Sequence, residues 1–436
     1  MTGLLNTCGA QFADWSAAYR LFSKERLPIA DLFSVVRRAV VSELPAGAPV
    51  CAVMDDSLLR RGGLHTPGVA WRRDPLGPRF QTNFVRAQRF LQVSLALPSP
   101  QRNRRMVPVA FVHAPTPAKP SKKADEQTWK QYRTEARARR ISRVGATQLE
   151  QLRHALDAEA ATAGRRLLVA FDGGYTNETV LKHIPSNTTC IGRVRKDARL
   201  FFVPDPDTAQ ARGRKLRYGA PAPTPEQVRT DESAWDTLEF CHSGISHPVR
   251  FKRRTHLMWR TAGAQALLQL VVIAPLGYRL RKKSKLLYRD PAFLICTDPL
   301  LDPRVIIETY FQRWDIEVNF REEKTTLGVG QAQVRSERSV ELAPAFAVAS
   351  YALLLMATQR AFAESPEGLL PPPKWAAPSP QRRISTQQAI NQLRAEVWGR
   401  GLGLPNFPGF ATPTTPNTKS QKCPFPLASA VCYAQA

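Results

Sequence analysis

The chain has 436 residues, 43% of them hydrophobic, enough for a sizeable core and, by length, for two or three domains. Its 62 Lys and Arg stand against 36 Asp and Glu, a net charge of +26. That excess selects neither a fold nor a reaction, but it points to a polyanionic partner, nucleic acid first and an acidic membrane surface second.

The opening MTGLLNTCGAQFADW lacks a basic start followed by an apolar run, so no signal peptide is expected. Residues 12–44 predict two helices broken at Pro28, and Pro45 and Pro49 mark a boundary. VCAVMDD, from Val50, is a short apolar run ending in two acids and reads as a buried strand. RFLQVSLAL (89–97) and MVPVAFVHA (106–114) give two more strands, joined by the turn PSPQRNRR. A basic link leads to a helix near Gln127–Arg140. A second helix is expected to start at Thr147, where Thr147 and Glu150 have capping-box spacing, and to end at Gly164. RRLLVAF (165–171) is the next buried strand, closed by Asp172-Gly173-Gly174.

Residues 189–290 interrupt this order with strand-like runs (CIGRVR, RLFFV, PVRFKR, LLQLVVIAPL), many basic residues and a Pro-rich loop at 220–225, and read as a β-rich insertion. Cys241, His242 and His247 lie close together there, but no second Cys/His pair at ligand spacing supports zinc. The seven cysteines hold no C-x-x-C pair, which suits a reducing cytosol better than a disulfide framework. AFLICT (292–297) resumes as a buried strand. Asp302 as N-cap and Pro303 at the first helical position then open a helix that Gly328 and Gly330 end. A second apolar helix runs from about Val340 to Phe362; its apolar stretch at 343–357 is short for a membrane span and reads as buried. Beyond it the chain turns Pro-rich around a short helix at 385–398.

The helix after Asp302 carries the most information. At about 100° per residue, Tyr310, Arg313, Glu317 and Lys324 fall within an arc of about 60°. Ile316 and Phe320 flank this arc on one side, Phe311, Trp314 and Val318 on the other. Gln312, Asp315, Asn319, Glu322 and Glu323 form an apparently solvated face opposite. A polar seam thus runs down the apolar face. Buried charges cost several kcal/mol each unless paired. The seam is therefore an internal network, a contact with another subunit, or the wall of a site where a metal takes the carboxylate and a phosphate the cations. Two further acids end buried strands: Asp56, with Asp55 beside it, and Asp172. At the rim of a sheet such acids meet, and a helix across the sheet would add Glu317. Three clustered carboxylates repel unless divalent cations relieve them. Mg²⁺ prefers a few carboxylates plus substrate oxygens and water, and two ions about 4 Å apart suit displacement at phosphorus.

The spacing Tyr-x2-Arg-x3-Glu-x6-Lys at 310, 313, 317 and 324 resembles the signature of bacterial DDE transposases of the IS-four superfamily. MDDS around Asp56 and FDGGY around Asp172 resemble the family's two aspartate motifs, and the strand order resembles its RNase H-like fold, over roughly residues 45–335. The resemblance implies an α/β architecture: an RNase H-like mixed sheet flanked by helices, with a β-rich insertion and helical N-terminal and C-terminal parts. The boundaries expected are a helical region at 1–46, the catalytic domain at 47–188 and 291–335, the insertion at 189–290, and C-terminal helices with a Pro-rich tail at 336–436. It implies a catalytic, metal-binding triad of Asp56, Asp172 and Glu317, with Asp55 the rival of Asp56, and two Mg²⁺ ions for which Mn²⁺ substitutes. Tyr310, Arg313 and Lys324 would grip DNA phosphates. Arg193, Arg195 and Lys196, the basic run from Arg279 to Lys285 and the basic helix near Arg133 to Arg143 are candidate backbone contacts. Trp259 or Trp235 would hold a flipped base. The implied partners are double-stranded DNA, as terminal inverted repeats and target, and a second copy in a homodimer, in a bacterial cytoplasm at the nucleoid. The implied activity is hydrolysis at a transposon end followed by 3′-hydroxyl strand transfer. The alternatives are a nuclease of the same fold without strand transfer and a non-catalytic DNA-binding derivative.

Overall fold

A computed structural model of the chain describes residues 12–401 and 403, apart from 15, 25, 27, 64, 79, 98–104, 206–215, 243–244, 281–282, 363–369 and 371–383. Most of the PSPQRNRR turn and the proline-rich tail lie outside the described residues. Helices α1 (Ser16–Arg20) and α2 (Ile29–Ser42) break at Pro28, as the sequence predicts. Strands β1 (Val50–Arg60), β2 (Ala70–Arg73), β3 (Phe84–Leu97) and β4 (Arg105–His113) follow, then helices α3 (Glu126–Ala138) and α4 (Ile141–Asp157). Strand β5 (Leu167–Phe171), the short helix α5 (Glu178–Leu181) and strand β6 (Thr188–Arg193) complete the first part.

These strands stand in the order β4-β3-β1-β5-β6, with β3 antiparallel to β1 and β5 parallel to both β1 and β6. This is the RNase H-like arrangement. The CIGRVR run expected to open the insertion is β6, a full member of the catalytic sheet.

The chain then makes β7 (Leu200–Phe202), α6 (Pro225–Thr230), β8 (Asp236–His242), β9 (Ile245–Trp259), β10 (Gly263–Ile273), the two-stranded ribbon β11 (Gly277–Tyr278) and β12 (Leu287–Tyr288), and β13 (Ala292–Cys296). β13 pairs antiparallel with β6 on one side and β10 on the other, so the insertion's strands extend the same sheet to eleven strands. Helices α7 (Pro303–Gln312), α8 (Trp314–Thr325), α9 (Glu337–Phe362) and α10 (Thr386–Gly401) close the described chain.

Alternation assigns the two faces of the sheet. Ala52 and Met54 of β1 pack with Val169 and Phe171 of β5 and Leu149 of α4. Val53 and Ala170 face the other way, onto Ile316 and Phe320 of α8. Helix α4 starts at Ile141 rather than Thr147, because its buried residues continue the helical period back past Ala146. Gly145 inside it has a packing reason: a Cβ there would come within 3.0 Å of the Tyr175 ring. Helix α9 is long and apolar enough to cross a membrane, yet Val340, Val348, Tyr351 and Leu355 are buried and it packs on α2, β4, α8 and α10.

Candidate active site

β1 and β5 run parallel with Met54 opposite Phe171, so Asp172, where β5 ends, stands beside Asp55, five residues before the end of β1. Both continue the alternation of Val53 and Ala170 and face the α8 side. Asp55 Oδ1 accepts the backbone N–H of Asp56 at 2.8 Å, and Oδ2 accepts Arg313 Nη1 at 3.1 Å. Burial and then the charge of Asp172 push the Asp55 carboxyl up to about 7, against the pull of Arg313. Asp172 Oδ1 accepts the backbone N–H of Gly174 at 2.7 Å, a local turn that fixes the carboxylate at the strand end.

The single helix expected after Asp302 is two helices meeting at Arg313. The N–H of Arg313 reaches the Tyr310 carbonyl and its own carbonyl takes the Ile316 N–H, each at 3.1 Å, so the ladder tightens to i, i+3 bonds. Arg313 Nη1 donates to Asp55 and Nη2 to Glu317 Oε1 at 3.0 Å. The Arg313 side chain is 12% exposed and that of Glu317 43%, so the guanidinium is the buried member of the pair. Arg313 Nε is buried with no partner among the described residues. The Tyr310 and Trp314 rings lie 5.8 and 5.5 Å from the guanidinium carbon. Burial raises the Tyr310 hydroxyl, on which the charges of Arg313, Arg193 and Asp172 also act. Lys324 stands apart, about 10 Å further along α8 at ~1.5 Å per residue. It sits 5.8 Å over Phe320, where burial lowers its ammonium and the charge of Arg60 reaches it.

The face expected to be solvated is partly core, because strands β3 and β4 as well as α9 meet it. Asn319 is buried, with Nδ2 donating to the Met106 carbonyl at 2.8 Å and Oδ1 accepting from Tyr351 at 3.4 Å. Glu323 is 1% exposed, and burial pushes its carboxyl up to about 8 despite the neighbouring Gln92 amide.

Asp56 points to the opposite face of the sheet from Asp172 and Glu317, and the acid that shares their side is Asp55. Asp56 accepts Tyr175 Oη at 2.8 Å and Arg89 Nε at 2.7 Å, which occupy both of its oxygens. Tyr175 is 2% exposed; burial and then the charge of Asp56 raise its hydroxyl, so it stays a donor. Arg89 carries no sequence signal. Tyr175 does: it lies inside FDGGY, three residues after Asp172.

A cavity of about 1000 Å³ opens beside Gly173 and is lined by Arg193, Arg195, Lys196, Arg229 and Trp259. Four residues singled out from the sequence as DNA contacts therefore share one concave wall next to Asp172, which Asp197, Glu226 and Asp290 also line; Arg195 is paired with Asp197 and Arg229 with Glu226. Trp235 is elsewhere, under Arg250 at 5.5 Å and Lys252 at 4.8 Å. The basic helix α3 has no buried residue and presents its arginines to solvent. Among the described residues no three His, Cys, Asp or Glu side chains stand close enough to hold a metal. The donor set in place is the Asp55–Asp172 pair, with Glu317 held off by Arg313.

The sequence matches the family described as DDE superfamily endonuclease over residues 4–262. No curated protein matches it. The matched span includes both aspartate strands, Tyr175 and Trp259, and stops before α7 and α8. Paired acids on adjacent parallel strands of an RNase H-like sheet suit metal-dependent phosphodiester cleavage, and the match over more than half of the sequence agrees: the chain belongs to the DDE superfamily endonucleases.

Proposed function

We propose that the chain is a cut-and-paste DNA transposase of the IS-four type, with Asp55, Asp172 and Glu317 as its acids. The observation that carries this reading is the placement of Asp55 beside Asp172, with Arg313 bridging Asp55 to Glu317. The donor chemistry fits a divalent ion. Burial first and then the charge of Asp172 oppose ionisation of Asp55 and hold it near 7, and hard oxygens of this kind suit Mg²⁺ or Mn²⁺. Asp55 and Asp172 would hold the metal, with Glu317, which Arg313 Nη2 now holds, as the third acid. Bound there, Mg²⁺ supplies positive charge to the attacking and leaving oxygens at phosphorus.

The protein's own groups do the rest. Arg313 offers its fork to a phosphate oxygen. Tyr310, kept protonated by burial, donates to the same phosphate. Lys324 grips the backbone further along the duplex. Asp56, held by Arg89 and Tyr175, anchors the opposite face of β1 so that Asp55 keeps its aim. In the cavity, Trp259 stacks against an unpaired base while Arg193, Arg195 and Lys196 neutralise phosphates. The protein acts as a homodimer on terminal inverted repeats, in the bacterial cytoplasm at the nucleoid.

The test is incubation of the purified protein with Mg²⁺ and a plasmid carrying its own terminal repeats. Excision with insertion supports transposition. Cutting without joining leaves a nuclease, and binding without cutting a DNA-binding derivative. Asp55→Asn and Asp172→Asn should bind the ends and leave them uncut, whereas Asp56→Asn should still cut. A folded Asp56→Asn that cannot cut, beside an Asp55→Asn that can, would reverse the assignment.

A further inference from the structure

Beyond the acids, β3 outruns β1. Arg60 of β1 pairs with Ala87, and past that point β2 is the partner, with Trp71 opposite Arg86, Arg72 opposite Val85 and Arg73 opposite Phe84. Asp74 closes the ribbon with its N–H on the Asn83 carbonyl at 2.8 Å. Residues directly opposite in an antiparallel pair share a face. One face of the ribbon therefore carries Trp71 and Arg86, then Arg73 and Phe84, a checkerboard of two rings and two guanidinium groups. Arg86 lies 6.0 Å over the Trp71 ring.

This face is open. Trp71 is 68% exposed and Phe84 56%, and in the loop between the strands Leu76 and Phe80 are 88% and 94% exposed. Large exposed side chains gathered in one place mark an interaction surface. Charge identifies the partner. The face carries Arg73 and Arg86 and no acid: Asp74, the single acid between residues 60 and 89, is buried and bonded to Arg60 at 2.8 Å. A surface of rings and arginines with the one nearby acid neutralised complements a polyanion that has flat apolar groups, which is nucleic acid.

Register gives the ribbon's place. Asp55 pairs with Gln92, and the two-residue period carries that side of β3 along to Arg86 and Phe84. The checkerboard thus looks to the same side of the sheet as Asp55. Phe84 is eight residues from Gln92, about 26 Å at ~3.3 Å per residue. Along a duplex at ~3.4 Å per base pair that is about eight base pairs.

We infer that the β2–β3 ribbon is a DNA clamp that lies on the duplex about eight base pairs from the scissile phosphate. Arg73 and Arg86 engage phosphates, and Trp71 and Phe84 pack on sugars and base edges. The distance rests on Asp55 marking the cleavage site; the contact itself does not.

The full-length protein is tested on a labelled duplex ending in its terminal repeat. Arg73→Glu with Arg86→Glu should weaken binding about tenfold or more and reduce the slope of log affinity against log salt by about 2. It should also erase hydroxyl-radical protection about eight base pairs from the cut, with an unchanged thermal melt. Trp71→Ala with Phe84→Ala should lose the same protection and keep the salt slope. Wild-type affinity and protection in both variants would overturn the clamp. So would a fall in the mass of the free protein by light scattering with DNA affinity intact, which assigns the ribbon to a second copy. Asp172→Asn should keep the protection. If no form of the protein cuts DNA yet the ribbon variants lose protection, the clamp stands and the reading of the acids falls.

Discussion

Glu323→Gln is predicted to stabilise the protein, and increasingly so as pH rises. The Glu323 carboxyl is 1% exposed, and its Oε1 has no partner among the described residues. Gln92 Oε1, a buried acceptor on the neighbouring strand, also lacks a donor. Burial moves the carboxyl from its ordinary 4.5 to about 8. Folding therefore retains a proton that the unfolded chain has already lost. This contribution is fully present below 4.5, declines as pH rises, and is gone once pH passes about 8. A shift of about 3.5 units at ~1.36 kcal/mol each sets an upper bound of about 5 kcal/mol at high pH. Relaxation of the interior reduces this to about 2–3 kcal/mol. Gln is neutral at every pH and keeps the size and shape of the side chain. Urea midpoints of wild type and Glu323→Gln, compared at about pH 5 and about pH 8.5, read the effect: the advantage of Gln should be small at the first and large at the second. A gap that stays constant across the range, or a Gln variant weaker at high pH, would refute a buried ionisation at this site.

Tyr175→Phe should lower stability by about 1–2 kcal/mol, since Asp56 loses a 2.8 Å donor, and leave cutting intact; a thermal melt with the plasmid assay checks both. Gly145→Ala should cost about 1–3 kcal/mol, because its Cβ meets the Tyr175 ring at 3.0 Å and Met54 Cε at 3.2 Å, with the melting temperature as readout. Trp259→Ala should remove stacking worth about 1–3 kcal/mol from an unpaired base, seen as lost quenching of 2-aminopurine placed at the transposon end.

Much of the fold was legible because its signals are local. The break at Pro28, the Asp302 cap and the three apolar strands before α3 each announce themselves within a few residues. The misreadings needed information from far along the chain. Thr147 and Glu150 have capping-box spacing, but the burial of α4 against β1 and β5 begins earlier, and tertiary packing overrides a local cap pattern. Asn319 and Glu323 look solvated on a helical wheel with one buried side. They are core because β3, β4 and α9 meet that side, and a wheel drawn from one helix contains no trace of its neighbours. The wheel did place Arg313 and Glu317 on one side, four residues apart, but it could not show that Asp55 meets the same guanidinium from β1.

The two adjacent acids show why a site is harder to read than a strand. VCAVM is apolar at every position, so neither face of β1 is marked and the sequence offers no alternation by which to choose Asp55 or Asp56. The choice is made by register with β5, more than a hundred residues away, which sets Met54 opposite Phe171 and so Asp55 beside Asp172. A slip of one residue would exchange the two carboxylates between faces. Tyr175 and Arg89 hold Asp56 on their side, while on the other Asp55 meets Arg313 and the charge of Asp172. The bonds made by Asp56 thus hold the register that keeps Asp55 in an environment it would otherwise leave. Removing Tyr175 and Arg89 together should loosen β1 and lower cutting more than either single change, a non-additivity that a double-mutant cycle on cleavage rate would measure.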